Sequence, residues 1–212
     1  MFVEEAIWIA RRIATILHKV NTVLDVGSST YIYRTVDQPH VGALFRLLKS
    51  LGKRVYYMDI KDGEGVDIVC DVTDRQCIEN ILRDYGSFDL VIAANLLEHV
   101  KDIKATIENL SKLTSKFLII TVPRIYFYHP DPIDNLFRPK CEKLKEVLMK
   151  YGFAPVCCEE IRIRYPYLRK RLIYALATIN LILQGQSQPA IINFKALFSK
   201  WIQTCALFVK VV

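Results

Sequence analysis

Alternation of short apolar runs with helix-length amphipathic segments predicts an α/β fold. The expected architecture is a doubly wound, mostly parallel seven-stranded sheet with helices on both faces and an antiparallel terminal strand. Three observations carry that expectation. The strand-type runs are few in residues and nearly continuous in apolar character, the pattern of strands buried on both faces. The helical segments close at glycines, Gly52, Gly86 and Gly152. A length of 212 residues with 52% hydrophobic and 24% charged content suits one folded domain around one core.

The elements follow in order. Phe2 to Leu17 reads as an amphipathic helix, with Ile7, Ile9, Ala10, Ile13 and Leu17 near helical spacing. Thr22 to Val26 is a strand ending in the turn at Gly27. Val41 to Leu51 is helical. Arg54 to Met58 is the second strand and Asp67 to Cys70 the third. The connection between them, Lys61 to Val66, is far shorter than the dozen or so residues a parallel crossover takes, so the third strand is short and offset or its helix has shrunk to a turn. Thr73 to Tyr85 is a helix, Phe88 to Ala93 a buried strand, Asp102 to Leu113 a helix and Lys116 to Val122 a further strand. Lys140 to Tyr151 is a helix, Phe153 to Arg164 is extended, and Cys205 to Val212 is the last strand. A single domain is expected over 1–212, with a basic, apolar helical insertion at about 166–200 before that strand.

Composition excludes several classes. The six cysteines show no C-x-x-C spacing and the four histidines are scattered, so neither a metal site nor a disulfide framework is expected, and a reducing, cytoplasmic setting is. The start of the chain carries Glu4 and Glu5 in place of a basic leader region. The longest apolar stretch, Leu172 to Leu183, falls short of the ~18–20 residues of a membrane span. The net charge of +7 is unevenly placed: Ile161 to Val212 holds eight basic residues and no acid, and the preceding part is close to neutral.

Four local signals occur in fixed order. Val23-Leu24-Asp25-Val26-Gly27-Ser28-Ser29 is a strand ending in an acid and a tight turn, whose backbone N–H groups are expected to be free for a ligand. Val55-Tyr56-Tyr57-Met58-Asp59 places an acid at a strand tip, suited to ribose hydroxyls. Asp67-Ile68-Val69-Cys70-Asp71-Val72 offers an acid to an adenine amino group. Phe88-Asp89-Leu90-Val91-Ile92-Ala93-Ala94-Asn95-Leu96-Leu97-Glu98-His99-Val100 runs from a strand into a polar turn. Together, over roughly Asn21 to Phe153, these resemble the motifs of the class I S-adenosylmethionine-dependent methyltransferases. The resemblance implies S-adenosylmethionine as cofactor, with Asp25, Gly27 and Ser28 at its methionine part, Asp59 and Ile60 at the ribose, Asp71 and Val72 at the adenine, and Asn95 and Leu96 beside the sulfonium. The first turn departs from the family's glycine-rich form at Ser29 and Tyr31, and Asp25 and Asp59 stand 34 residues apart, so the intervening loop is enlarged. The absence of G-x-G-x-x-G speaks against a nicotinamide cofactor.

A fifth segment, Pro123 to Pro139, follows the fifth strand at the sheet edge where such folds bind ligands. It resembles the corresponding loop of methyltransferases found near glycan-assembly enzymes. Tyr128, Asp131, Asp134 and Arg138 are its candidate substrate contacts, and His129, ahead of His99, is the candidate base. The alternative is a rigid loop in which Asp134 and Arg138 pair. The expected reaction is O- or N-methylation of a small or glycan-like acceptor, with lipid-linked acceptors included. The rival is a non-catalytic, methyltransferase-like module docking on a membrane or protein. The basic apolar insertion suits a lid, a homodimer interface or an anionic membrane surface. No nucleic-acid module is present, so nucleic acid is not an expected partner.

Overall fold

A computed structural model of the chain describes residues 1–131, 133–164 and 168–211. Seven strands form one sheet: β1 (Thr22–Val26), β2 (Arg54–Asp59), β3 (Ile68–Val69), β4 (Phe88–Ala94), β5 (Thr114–Ile125), β6 (Phe153–Arg162) and β7 (Ile202–Lys210), in spatial order β3-β2-β1-β4-β5-β7-β6. β1 to β5 pair in parallel, and β7 runs antiparallel between β5 and β6. Helices α1 (Val3–Ile16), α2 (Pro39–Ser50), α3 (Arg75–Tyr85), α4 (Ile103–Leu113) and α5 (Cys141–Met149) pack against it, and α6 (Leu168–Leu183) and α7 (Ser187–Phe198) form a hairpin before β7.

Period-two alternation explains the two faces. Successive strand residues point to opposite sides, so Val23, Leu90, Ile92 and Ile119 meet Trp8, Ile9, Phe45 and Leu48 of α1 and α2. Leu24, Val91, Leu118 and Ile120 meet Ile78, Ile107, Leu110 and Leu144 of α3 to α5 on the other. The side chains of Asp74 and Asp102 cap α3 and α4, accepting from the backbone N–H groups of Gln76 and Cys77, and of Ala105. The ladders of β5 and β6 shift register next to Pro123 and Pro155, residues that lack a ladder donor.

The short connection after β2 resolves as a turn. β3 has two residues, paired through Met58 with Ile68 and Asp59 with Val69, and no helix intervenes. A helical stretch over Tyr31–Asp37, ending in a π-type turn, fills the enlarged loop after β1. The expectation of unpaired cysteines is corrected: Cys70 is bonded to Cys77, and Cys141 to Cys158. Each bond joins a strand or strand end to a neighbouring helix, a proximity that spacing along the chain does not reveal. Cys157 and Cys205 are free.

The hairpin is anchored by an aromatic cluster. Tyr174 of α6 stacks on buried Phe127 at 3.7 Å between ring centroids, and Trp201 meets the same ring edge-on at 5.4 Å. The Asn193 side chain of α7 accepts from the Tyr128 backbone N–H at 2.7 Å. Such ring pairs contribute about 0.5–1.5 kcal/mol beyond area burial. Tyr174→Ala should therefore raise amide exchange across 168–198 while β1, β4 and β5 keep their protection, as measured by hydrogen–deuterium exchange.

Candidate functional site

The carboxyl ends of β1, β2, β4 and β5 open into one cavity of about 1000 Å³. Asp25, Gly27, Ser28, Asp59, Ile60, Asp71, Val72, Asn95, Leu96, His99, His129 and Asp131 line it, so residues from distant segments of the sequence meet there. Tyr128, Asp134 and Arg138 are not among its lining residues.

The turn after β1 differs from its expected form. The N–H groups of Gly27 and Ser28 donate to the Met58 carbonyl at 2.8 and 3.0 Å, and that of Ser29 to Asp59 Oδ2 at 2.6 Å. They hold β1 to β2 and are not free for a ligand. Gly27 has φ +77, and a Cβ there would stand 3.1 Å from the Leu96 side chain, so glycine keeps the two turns in close approach. Arg34, which the motifs did not single out, is buried and braces this turn. Its guanidinium donates to the carbonyls of Ser28 at 3.3 Å, Ser29, and Gly65 at 2.6 Å, and lies 3.8 Å over the Tyr57 ring. A Cβ on Gly65, which has φ +78, would come within 2.8 Å of Arg34 and Tyr31, so this glycine admits the guanidinium.

Burial pushes the Asp25 carboxyl up to about 7; Arg34 opposes the shift and Asp59 adds to it. Asp59 Oδ1 also accepts from the Lys61 N–H at 2.9 Å. Asp71 Oδ1 accepts from the backbone and hydroxyl of Thr73. Asn95 has φ +52, and its side chain donates to Glu5 Oε1 at 2.9 Å. Glu5 is fully buried and its other oxygen accepts from the Phe2 N–H. It was read from sequence only as an N-terminal acid, and its partner lies 90 residues away.

The loop after β5 separates into two roles. Asp134 accepts from Arg138 at 2.6 Å and from the His129 backbone N–H at 3.0 Å. Burial alone would raise Asp134, but His129 and Arg138 outweigh it and hold the carboxylate well below its usual range. Asp134 and Arg138 thus brace the loop, while His129 and Asp131 reach the cavity. Pro132 lies outside the described residues. Nδ1 of His129 bonds the Phe127 carbonyl at 2.8 Å and Nδ1 of His99 the Ile133 carbonyl at 2.6 Å. A carbonyl only accepts, so both neutral rings carry the proton on Nδ1 and keep an Nε2 lone pair. Their ring centroids are 5.0 Å apart. Burial lowers the His99 pKa, with His129 adding to it and the Ile133 carbonyl opposing. Burial also pushes the Glu98 carboxyl up to about 8, against its own backbone N–H and the pull of Arg138.

The strand order and topology are those of the class I S-adenosylmethionine-dependent methyltransferase fold. Solved structures with this fold include magnesium protoporphyrin IX methyltransferase (ChlM) from Synechocystis PCC 6803 with bound SAM, at TM-score 0.55 and 15% identity, covering 98% of this chain and 79% of that one. The 1,6-didemethyltoxoflavin-N1-methyltransferase of Burkholderia thailandensis gives 0.54 and 14%, covering 98% and 79%. A SAM dependent methyltransferase from Archaeoglobus fulgidus gives 0.53 and 18%, covering 97% and 94%. Likeness at this level of identity defines the fold alone. No family model and no curated protein matches the sequence.

Arg34→Met keeps the apolar stem and removes every guanidinium bond to the three carbonyls. Hydrogen bonds to a charged group contribute about 1.5–3 kcal/mol. The variant should unfold at lower urea concentration, with stability reduced by at least that amount.

Proposed function

We propose that the chain is an S-adenosylmethionine-dependent methyltransferase acting on a hydroxyl or amine of a small, polar, glycan-like acceptor. The observation that carries the reading is the convergence of Asp25, Asp59, Asp71 and Asn95, from four separate strand ends, on one cavity. Asp59 and Ile60 would hold the ribose, Asp71 and Val72 the adenine, and Asp25, Gly27 and Ser28 the methionine part, with Asn95 and Leu96 beside the sulfonium. The residues present suit such a ligand: Asp25 is a buried acid whose ionisation a ligand ammonium would favour, and Gly27 keeps the floor low. When bound, S-adenosylmethionine supplies a methyl group already activated on sulfur. The protein's own part is to fix the acceptor against it, an effect that reaches ~7–11 kcal/mol in well-oriented systems. His129 and His99 present Nε2 lone pairs that can take a proton from the acceptor, and Tyr126 and Asp131 border the same end of the cavity.

Calorimetric titration with S-adenosylhomocysteine between pH 5.5 and 8.5 tests the reading. Without a paired cation Asp25 is protonated below about 7. Pairing with a ligand ammonium requires the carboxylate, so binding releases a proton below that pH. Affinity should fall by up to about tenfold per pH unit beneath 7 and level off above it. Asp25→Asn should flatten the profile, and Asp59→Asn should weaken binding about tenfold. A folded chain that binds neither S-adenosylhomocysteine nor S-adenosylmethionine would be the non-catalytic module instead.

The reading includes a place for a lipid-linked acceptor. No helix among the described residues is long and apolar enough to cross a membrane. The α6–α7 hairpin nonetheless exposes Leu176, Ile179, Leu183, Ile191, Phe194 and Phe198, and the first turn of α6 carries Arg169, Lys170 and Arg171 in sequence. An exposed apolar face on a segment whose sequence also carries a basic run suits an anionic bilayer surface. The chain should co-sediment with phosphatidylserine vesicles at low salt and be released at high salt, and Phe194→Ser with Phe198→Ser should abolish pelleting. Concentration-dependent dimerisation without pelleting would assign the face to a second copy.

A further inference from the structure

One polar group in the cavity region has no role in binding the methyl donor. Glu98, in the turn after β4, is fully buried, and among the described residues no side chain donates a hydrogen bond to either carboxyl oxygen. A carboxyl buried there stays ionised only where a positive charge stands beside it. Its Oε1 lies 3.9 Å from His99 Nε2, and one donor atom each from Glu98, His99 and His129 lie within 4.8 Å of one another.

The two imidazoles are set up as ligands. Each donates Nδ1–H to a backbone carbonyl, the outer bond that fixes ring orientation and tautomer in metal-ligating histidines, which leaves Nε2 as the atom each has to offer. The scaffold is built to hold the two segments together. Asn135 donates its side chain to the carbonyls of Leu97 and Val100 at 2.7 and 2.8 Å, and its backbone N–H to the Glu98 carbonyl at 2.8 Å. The turn carrying Glu98 and His99 is thereby locked to the loop carrying His129.

We propose that Glu98, His99 and His129 bind a first-row divalent cation of the zinc or manganese class at the acceptor end of the cavity. Two imidazoles and one carboxylate favour such ions over magnesium or calcium, and three protein ligands leave a position open for a further oxygen. Ligand distances of ~2.0–2.2 Å require the donor atoms to close to about 3.4 Å from one another, a contraction of up to about 1.4 Å. The cation deepens the methyltransferase reading, on which this part rests, by naming the acceptor as a hydroxyl. Lewis-acid contact lowers the pKa of that hydroxyl. Its proton passes to water, its oxygen forms the new bond to the methyl carbon, and the carbon–sulfur bond breaks with its electron pair left on sulfur as a neutral thioether. The lone pairs of His99 and His129 are then committed to the ion and neither ring serves as the base.

The test uses the full chain after chelator treatment, titrated with Zn²⁺, Mn²⁺ and, as control, Mg²⁺, with Co²⁺ as a spectroscopic stand-in. One equivalent of Zn²⁺ or Mn²⁺ should bind in preference to Mg²⁺. The Co²⁺ form should show ligand-field bands without thiolate charge transfer, which separates this cluster from Cys157 and Cys205. Glu98→Gln and His129→Ala should each weaken binding by more than the roughly 10–100-fold that loss of an outer partner costs. Loss in both variants supports the site. No stoichiometric binding, binding retained in either variant, or thiolate bands overturn it. S-adenosylhomocysteine titration of the chelator-treated chain runs alongside: its failure would strike the methyl-donor reading and leave the cation site standing.

Discussion

Strands β1 and β4 are hydrogen-bonded neighbours whose onward connections lead to opposite halves of the sheet. No crossover covers the gap between their carboxyl ends, so a crevice must open there. Everything assigned to the site hangs from that crevice: Asp25 and Gly27 on one side, Asn95 and Leu96 on the other. The apolar ladder that holds it open, Val23 with Leu90 and Leu24 with Val91, is buried without exposure on either face. Displacing it would separate the acids that now share one cavity.

Much of this was legible in the chain. β1 occupies the residues its pattern predicts, and β4 differs by one residue, because continuous apolar runs bounded by polar or glycine positions allow few alternatives. The acids at strand tips were legible because a carboxylate closing an apolar run is itself unusual. What was hidden has a common physical cause, pairing over long sequence distance. Glu5 meets Asn95, Arg34 meets Gly65, and Cys141 meets Cys158 only after the sheet has formed. The N–H groups of Gly27 and Ser28 were misread for the same reason, since their acceptor, Met58, belongs to another strand. A turn sequence reports its shape and not where its donors go.

The loop after β5 shows how one polar-rich segment divides between support and chemistry. Asp134 satisfies its charge twice over, with Arg138 and with the His129 backbone, and so belongs to the support. Glu98, also buried, has no side-chain donor on either oxygen among the described residues. The two buried acids are therefore pushed in opposite directions, Asp134 well below its usual range by its partners and Glu98 up to about 8 by burial. Glu98 has its Oε1 3.9 Å from His99 Nε2 and shares a cluster with His129, which is where the proposed cation would supply the positive charge that Arg138 supplies to Asp134.

The hairpin is coupled to this position through the backbone. Asn193 of α7 holds the Tyr128 N–H, one residue before His129, and Tyr174 of α6 stacks on Phe127, whose carbonyl accepts from the His129 ring. Tyr126, on the same stretch, packs edge-on against His129 at 5.0 Å between centroids. His129 is therefore placed jointly by the sheet, through β5, and by α6 and α7. Any surface that the exposed face of the hairpin rests on would bear on the orientation of His129 through two hydrogen bonds and a ring stack. Packed interiors transmit such displacements because they have little free volume to absorb them. The hairpin and the cavity are in this sense mechanically one unit, joined at a histidine whose position both help to set.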